Sequence, residues 1–146
     1  MLMTTTELLF TFCNTGILFF WMLLLFLPKR KITQKIMAFP WIPLGLSFFY
    51  AYFLFGFGGL AEADFSRLDG ILTLFKEATP ESAAAGWLHY LAFDFWMGSW
   101  MLKNSQQKGI PHPWMIAPML GTFLLGPLGV LVYSLVYFVH SRLNKK

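Results

Sequence analysis

Charge is what this sequence has least of. Asp, Glu, Lys and Arg make up 12% of its 146 residues, against 57% hydrophobic and 19% aromatic. A water-soluble fold of this length has too little interior for 17 Phe and 6 Trp, because the share of surface that a chain can bury falls as the chain shortens. Lipid is therefore the expected solvent of the apolar surface. Cysteine is nearly missing as well. Cys13 stands alone inside an apolar run, which leaves no intrachain disulfide framework and no zinc motif, and makes the thiol a small packed group. The net charge of +4 sits mostly in short loops and at the C-terminal end. Such charge sets orientation in a membrane and gives no ground for a nucleic-acid partner. No basic leader precedes the first apolar run, Leu8–Leu27, which ends in "PKRK" where a signal peptide would have small residues. It is expected to be retained as a span. Internal repeats and low-complexity tails are lacking.

What the chain does have is apolar length. A membrane-spanning helix needs about 20 apolar residues, and four stretches supply them: Glu7–Leu27, Pro40–Leu60, Glu81–Lys103 and Trp114–Val139. The expected fold is all-α: a single transmembrane domain over residues 1–146, with four transmembrane helices and a short amphipathic interfacial helix between the second and third. That short helix is Ser66–Lys76, where Leu68, Ile71, Leu72 and Phe75 fall at helical spacing over a length too short to span. Pro40 and Pro43 suit a first helical turn, where a missing N–H costs little, and Pro80 marks the start of the third span. Four spans put both termini on one side. Lys29, Arg30, Lys31 and Lys35 crowd the end of the first span, with Lys103 and Lys108 in the third loop, against Arg67, Lys76, Arg142, Lys145 and Lys146 opposite. The dense cluster beside the first span puts the "PKRK" loop in the cytoplasm and both termini outside.

One stretch breaks the apolar pattern. "GWLHYLAFDFWMGSW", Gly86–Trp100, carries Asp94 near the middle of the third span and His89 shortly before it. A charge near the bilayer centre costs at least a few kcal/mol, so Asp94 is expected to face protein or water, or to be protonated. Two readings stay open. In one, Asp94 is polar glue at a kink: Gly126 and Pro127 lie at its depth on the fourth span, and Pro127 leaves the Phe123 carbonyl without its helical donor. In the other, Asp94 works with His89, which lies about 140° around the helix, so that the two flank one cavity from different angles. Counting depth along the spans sets Asn14, Tyr52 and Tyr133 level with His89, and Trp87 and Tyr90 share the face of Asp94. His89 and Asp94 are the candidate catalytic pair. Asn14, Tyr52, Trp87, Tyr90 and Tyr133 are the candidate substrate-binding residues. Tyr50 is the alternative to Tyr52, since they differ by about 160° around a helix. A metal is not expected: His89 and Asp94 are wrongly spaced on one helix and lack a third ligand. Haem would need a second histidine at the depth of His89. His112, between Pro111 and Pro113, and His140 both belong to interfaces. No cofactor is called for.

The run "GWLHYLAFDFWMGSWMLKNSQQKGIPH", followed by "FLLGPLG" and "LVY", resembles the membrane domain of the plant ABA-deficient neoxanthin-synthesis family, which bacterial and algal chains also carry. The first two spans match it mainly in hydropathy and in the basic loop. Plant members bear an N-terminal plastid extension, whereas this chain starts almost at its first span, which implies a bacterial relative in the inner membrane. The resemblance implies a lipid-soluble ligand, a carotenoid or other isoprenoid, held by aromatic side chains. It also implies an isomerisation: turning an epoxy-carotenoid into an allenic one needs an acid at the epoxide oxygen, a base at the polyene end and no net redox. Assigning those roles to His89 and Asp94 is an inference from their chemistry. The rival expectation is a non-enzymatic membrane protein, an assembly partner or a proton or ion pathway through Asp94, for which so small a bundle would form a homo-oligomer.

Overall fold

A computed structural model describes residues 3–57 and 64–144. The end of the expected second span, at Leu60, and the basic residues Lys145 and Lys146 lie outside the described residues. Among the described residues the chain is all helix: α1 (Thr5–Phe26), α2 (Lys31–Ala38), α3 (Trp41–Gly56), α4 (Leu68–Lys76), α5 (Pro80–Gln107), α6 (His112–Leu125) and α7 (Pro127–Leu143). Local chemistry sets several of these ends. Thr4 and Glu7 form a reciprocal capping box at the start of α1, and Thr79 and Ser82 do the same for α5, with Pro80 in its first turn. Before α4, the hydroxyl and N–H of Ser66 both donate to Asp64. These bonds favour the ionised carboxylate and hold its pKa below the ordinary value.

α5 is the hub: α1, α2, α3, α6 and α7 all pack on it. The Thr6 hydroxyl donates to Glu81 at the start of α5, and Gln34 reaches Gln106 at its end, so α1 and α5 run in parallel and α3 runs back between those levels. Trp21 of α1 sits at the centre. Its ring meets Phe95 at 5.6 Å and Phe123 at 5.3 Å, edge-on and tilted. It fits because α5 offers Gly98 there; a Cβ on Gly98 would stand 2.5 Å from Trp21 Cη2. The "PKRKITQK" stretch, expected as a loop, is largely helix α2, since burying Thr33 and Met37 on one face leaves the lysines outside. It also caps α1. The Thr33 hydroxyl donates to Leu27 O at 2.7 Å, Gln34 and Gln106 donate to Pro28 O, and His112 Nε2 donates to Leu25 O at 2.7 Å. Leu25 O, one of the carbonyls that the end of α1 leaves unpaired, and the two carbonyls just past it are thereby covered.

The expected fourth span is not one helix. α6 ends and α7 begins at Gly126, whose φ of 52° and ψ of −101° belong to glycine, followed by Pro127. The two helices fold back on each other as a hairpin. Gly129 Cα comes within 3.0 Å of the Cβ site of Gly121, and at the open end Trp114 and His140 lie 6.0 Å apart, centroid to centroid. The tip, Gly126, meets Asp94, midway along α5. At 14 and 17 residues, the arms are shorter than the run of about 20 that a crossing needs. The C-terminal end of α7 therefore returns to the "PKRK" end of the molecule, and the termini do not share one side as a four-span count requires. By length and composition, α1 can cross a membrane, and α2 with α3, bent by 53°, passes only as a pair.

The hairpin depends on glycine at its contact. A methyl at Gly129 would collide with Thr122 and stand 2.5 Å from Pro118 O. Gly129→Ala is expected to destabilise the protein by about 1–3 kcal/mol, read as a lowered thermal midpoint in detergent. Gly16→Ala, which meets nothing within 4 Å, should leave the midpoint unchanged or slightly raised. Equal midpoints for wild type and Gly129→Ala would refute the close packing.

Candidate functional site

A groove lies where α3, α4 and α5 meet. It encloses about 350 Å³ and is walled by Tyr50 and Leu54 of α3, Leu74 and Phe75 of α4, and Trp87, His89 and Tyr90 of α5. α5 contributes because its small residues Ala83, Ala85 and Gly86 keep the floor low. α4, the helix expected at the interface, forms one wall with Leu74 and Phe75, although none of its residues is buried. His89 is exposed into this space. Its ring lies 4.8 Å from Phe93, 5.8 Å from Tyr50 and 6.1 Å from Tyr90. The ring nitrogens of an imidazole can donate or accept a hydrogen bond toward a ligand in this space.

Asp94 does not line that groove. Half-buried on another side of α5, it places Oδ1 2.9 Å from the Cβ site of Gly126. Among the described residues it makes no hydrogen bond, and the donation to Phe123 O expected at a kink is not formed. The reason is that the chain turns sharply at Gly126 instead of kinking through it, with the Gly126 N–H already on Thr122 O at 3.0 Å.

The remaining expected site residues scatter. Asn14 accepts from Trp87 Nε1 at 2.8 Å, joining α1 to α5 beside the groove and leaving the Trp87 ring face as its contribution. Tyr52 points away from the groove, 46% exposed, and packs on Phe53 and Phe57; Tyr50, a little under half a turn of helix away, takes the place beside His89. Tyr133 is at the wrong depth for a layer with His89. Because α7 runs back from the tip, its hydroxyl donates to Asn104 Oδ1 at 2.6 Å, beside Trp100. Asn104 lies about 22 Å along α5 from His89. The layer of Asn14, Tyr52, His89 and Tyr133 above Asp94 is thus not assembled.

A family model described as ABA DEFICIENT 4-like matches residues 8–133, which include the groove, Asp94 and the hairpin tip. The chain belongs to the ABA DEFICIENT 4-like family. That family is one of membrane proteins and ties the chain to neoxanthin synthesis. No curated protein and no solved structure matches it. In this ABA DEFICIENT 4-like chain, depth counting passed over Ser82 and the α4 wall residues Leu74 and Phe75. The helical spacing of α4 signalled an apolar face but not what it covers. His112 was marked only by its flanking prolines, and its bond to the end of α1 had no local signal.

Two substitutions separate the readings of Asp94. If it only fills the tip contact, Asp94→Asn should keep the stability within about 0.5 kcal/mol of wild type, while Asp94→Leu, too bulky against Gly126, should lower it clearly. If it acts as an acid or base, Asp94→Asn should abolish turnover in a folded protein. Thermal unfolding and ligand conversion measured on one preparation give the answer.

Proposed function

We propose that this chain is an integral membrane protein in which α1, α3 and α5 cross the bilayer and α6–α7 re-enters it, and that it binds a carotenoid or other isoprenoid lipid beside His89 and isomerises it. The groove carries this reading. Its volume, about 350 Å³, suits the end group of such a ligand, and its lining is apolar apart from His89, Ser82 and the tyrosine hydroxyls. Phe93, 4.8 Å from His89 on the same face of α5, continues the wall for a polyene. The chemistry needs no cofactor. One proton goes to the epoxide oxygen as its C–O bond breaks, and one leaves the adjacent polyene end, so atoms and electrons balance. His89 is the proton carrier with access, giving one proton and taking the other, and Asp94 stands outside the groove. The contact of Asp94 with Gly126 favours a second reading, in which the carboxyl holds the hairpin tip and the protein binds its lipid without transforming it.

Orientation follows from charge. With α7 returning, Arg142 joins Lys29, Arg30, Lys31, Lys35, Lys103 and Lys108 at one end, and Glu7, Asp64, Asp69, Glu77 and Glu81 gather at the other with Arg67 and Lys76. The basic end faces the cytoplasm of a bacterial inner membrane.

Mass spectrometry of lipids extracted from the purified protein is the decisive experiment. An isoprenoid lipid recovered in stoichiometric amount is expected, and its absence would overturn the reading. His89→Gln should retain the ligand and slow conversion by roughly 10²–10⁴-fold, the usual worth of a general acid or base; unchanged conversion would remove His89 from the chemistry. Cysteines placed at Lys31 and Asn144 should label from the same side of the membrane. Labelling from opposite sides would disprove the re-entrant hairpin.

A further inference from the structure

A second cavity lies at the other end of α5, remote from His89. It encloses about 150 Å³ where the bend between α2 and α3 meets α5, and Phe39, Pro40, Trp96, Ser99, Trp100 and Lys103 line it. Ser99 is 8% exposed, and its Oγ has no hydrogen-bond partner. Among the described residues, Thr122 Oγ1 is the other buried hydroxyl without one. Ser47, Ser105 and Ser134 each donate back to a carbonyl of their own helix, at 2.8, 2.7 and 2.9 Å, as a serine in an apolar setting normally does. Ser99 lines the cavity with its hydroxyl unused, and a buried hydroxyl without a partner costs free energy. Lys103 stands one helical turn further on the same face. No acid occurs in α2, in the segment before it, or in α5 beyond Asp94, so nothing nearby neutralises that ammonium. The end of α2 and the start of α3 meet here with opposite dipoles that offset each other. Lys103 therefore decides the sign, and the site favours an anion.

The cavity also has an apolar extension. Trp96 and Trp100 line a further groove of about 330 Å³ with Phe93 and Met97. One pair of indole rings thus borders both spaces. We infer that the α2–α3–α5 junction is a binding site for an anionic phospholipid: its headgroup phosphate accepts from Ser99 Oγ and pairs with Lys103 Nζ, and an acyl chain runs along Trp96, Trp100 and Met97. The source is a membrane lipid and not free phosphate, because the continuous groove has room for a chain. The inference rests on the membrane reading of the protein and is independent of the ligand beside His89.

The test is native mass spectrometry of the full chain released from nanodiscs of phosphatidylglycerol or of phosphatidylcholine, with isoprenoid content measured on the same samples. Retention of phosphatidylglycerol over phosphatidylcholine is expected. Lys103→Gln should cut that retention roughly fivefold, the worth of one basic residue near an anionic surface. Ser99→Ala should cut it as well without loss of helix content. Lys108→Gln, a cation at the same end outside the cavity, should leave retention unchanged. Equal retention of the two lipids would overturn the site, and so would an equal effect of Lys103→Gln and Lys108→Gln, which would mean diffuse attraction. Competition by inorganic phosphate alone at millimolar concentration would assign the site to a free anion and overturn the lipid. Absence of isoprenoid with phosphatidylglycerol retained would count against the groove beside His89 and leave this site standing.

Discussion

The structure turns on one constraint: a backbone that breaks in the middle of an apolar layer has to be covered by protein. At Gly126 the chain reverses, and, with α6–α7 re-entering the bilayer as proposed, the N–H and C=O groups around the break have no water to turn to. The answer is steric. Gly126 is buried, α5 lies across the tip with Asp94 against it, and Gly121 and Gly129 bring the two arms close enough to exclude lipid between them. Removing the side chains at these positions matters more than any single hydrogen bond, since van der Waals packing drives helix association in membranes.

The same logic explains why α5 is the hub. Its small residues are distributed around the helix: Ala84, Ala85 and Ala92 are buried, Gly98 admits the ring of Trp21, and Ser99 and Ser105 are buried further along. Large rings alternate with them on the outward face, where His89, Phe93, Trp96 and Trp100 follow at spacings of three and four. One helix thus presents a close-packed side to its neighbours and an aromatic side to the surroundings. Grooves open where α3 and α4, or α2 and α3, diverge over that aromatic side, and His89 and Ser99 border such openings.

The ends of the molecule differ in charge for a reason that is also tertiary. α1 and α5 run in parallel, so their capped starts carry Glu7 and Glu81 together, joined through Thr6. Their other ends meet α2 and the open end of the hairpin, where His112 bonds Leu25 O of α1 and Gln34 and Gln106 bond Pro28 O just past its end. The result is an acidic, hydroxyl-rich end over the groove and a basic end at the α2–α3–α5 junction.

Much of this was legible beforehand. Helix type, most helix starts and the importance of "GWLHYLAFDFW" follow from local rules: apolar length, capping residues and the cost of an aspartate among apolar neighbours. The family resemblance rested on contiguous residues and needed no fold. Depth counting, by contrast, assumed that an apolar stretch continues in one direction. It placed Tyr133 beside His89, whereas the turn at Gly126 sends it to Asn104. Facing was equally out of reach: Tyr50 and Tyr52 are equivalent in composition and depth, and only the packing of α3 on α5 chose Tyr50 for the groove. The sequence by itself determined most of the helical segments, α2 excepted, and how much each stretch avoids water, because those depend on neighbours in the chain. Direction after Gly126, rotation about each helix axis and the separation of His89 from Asp94 were decided only in three dimensions. They depend on which small residues let two backbones meet, and that is a property of pairs of surfaces and not of either segment alone.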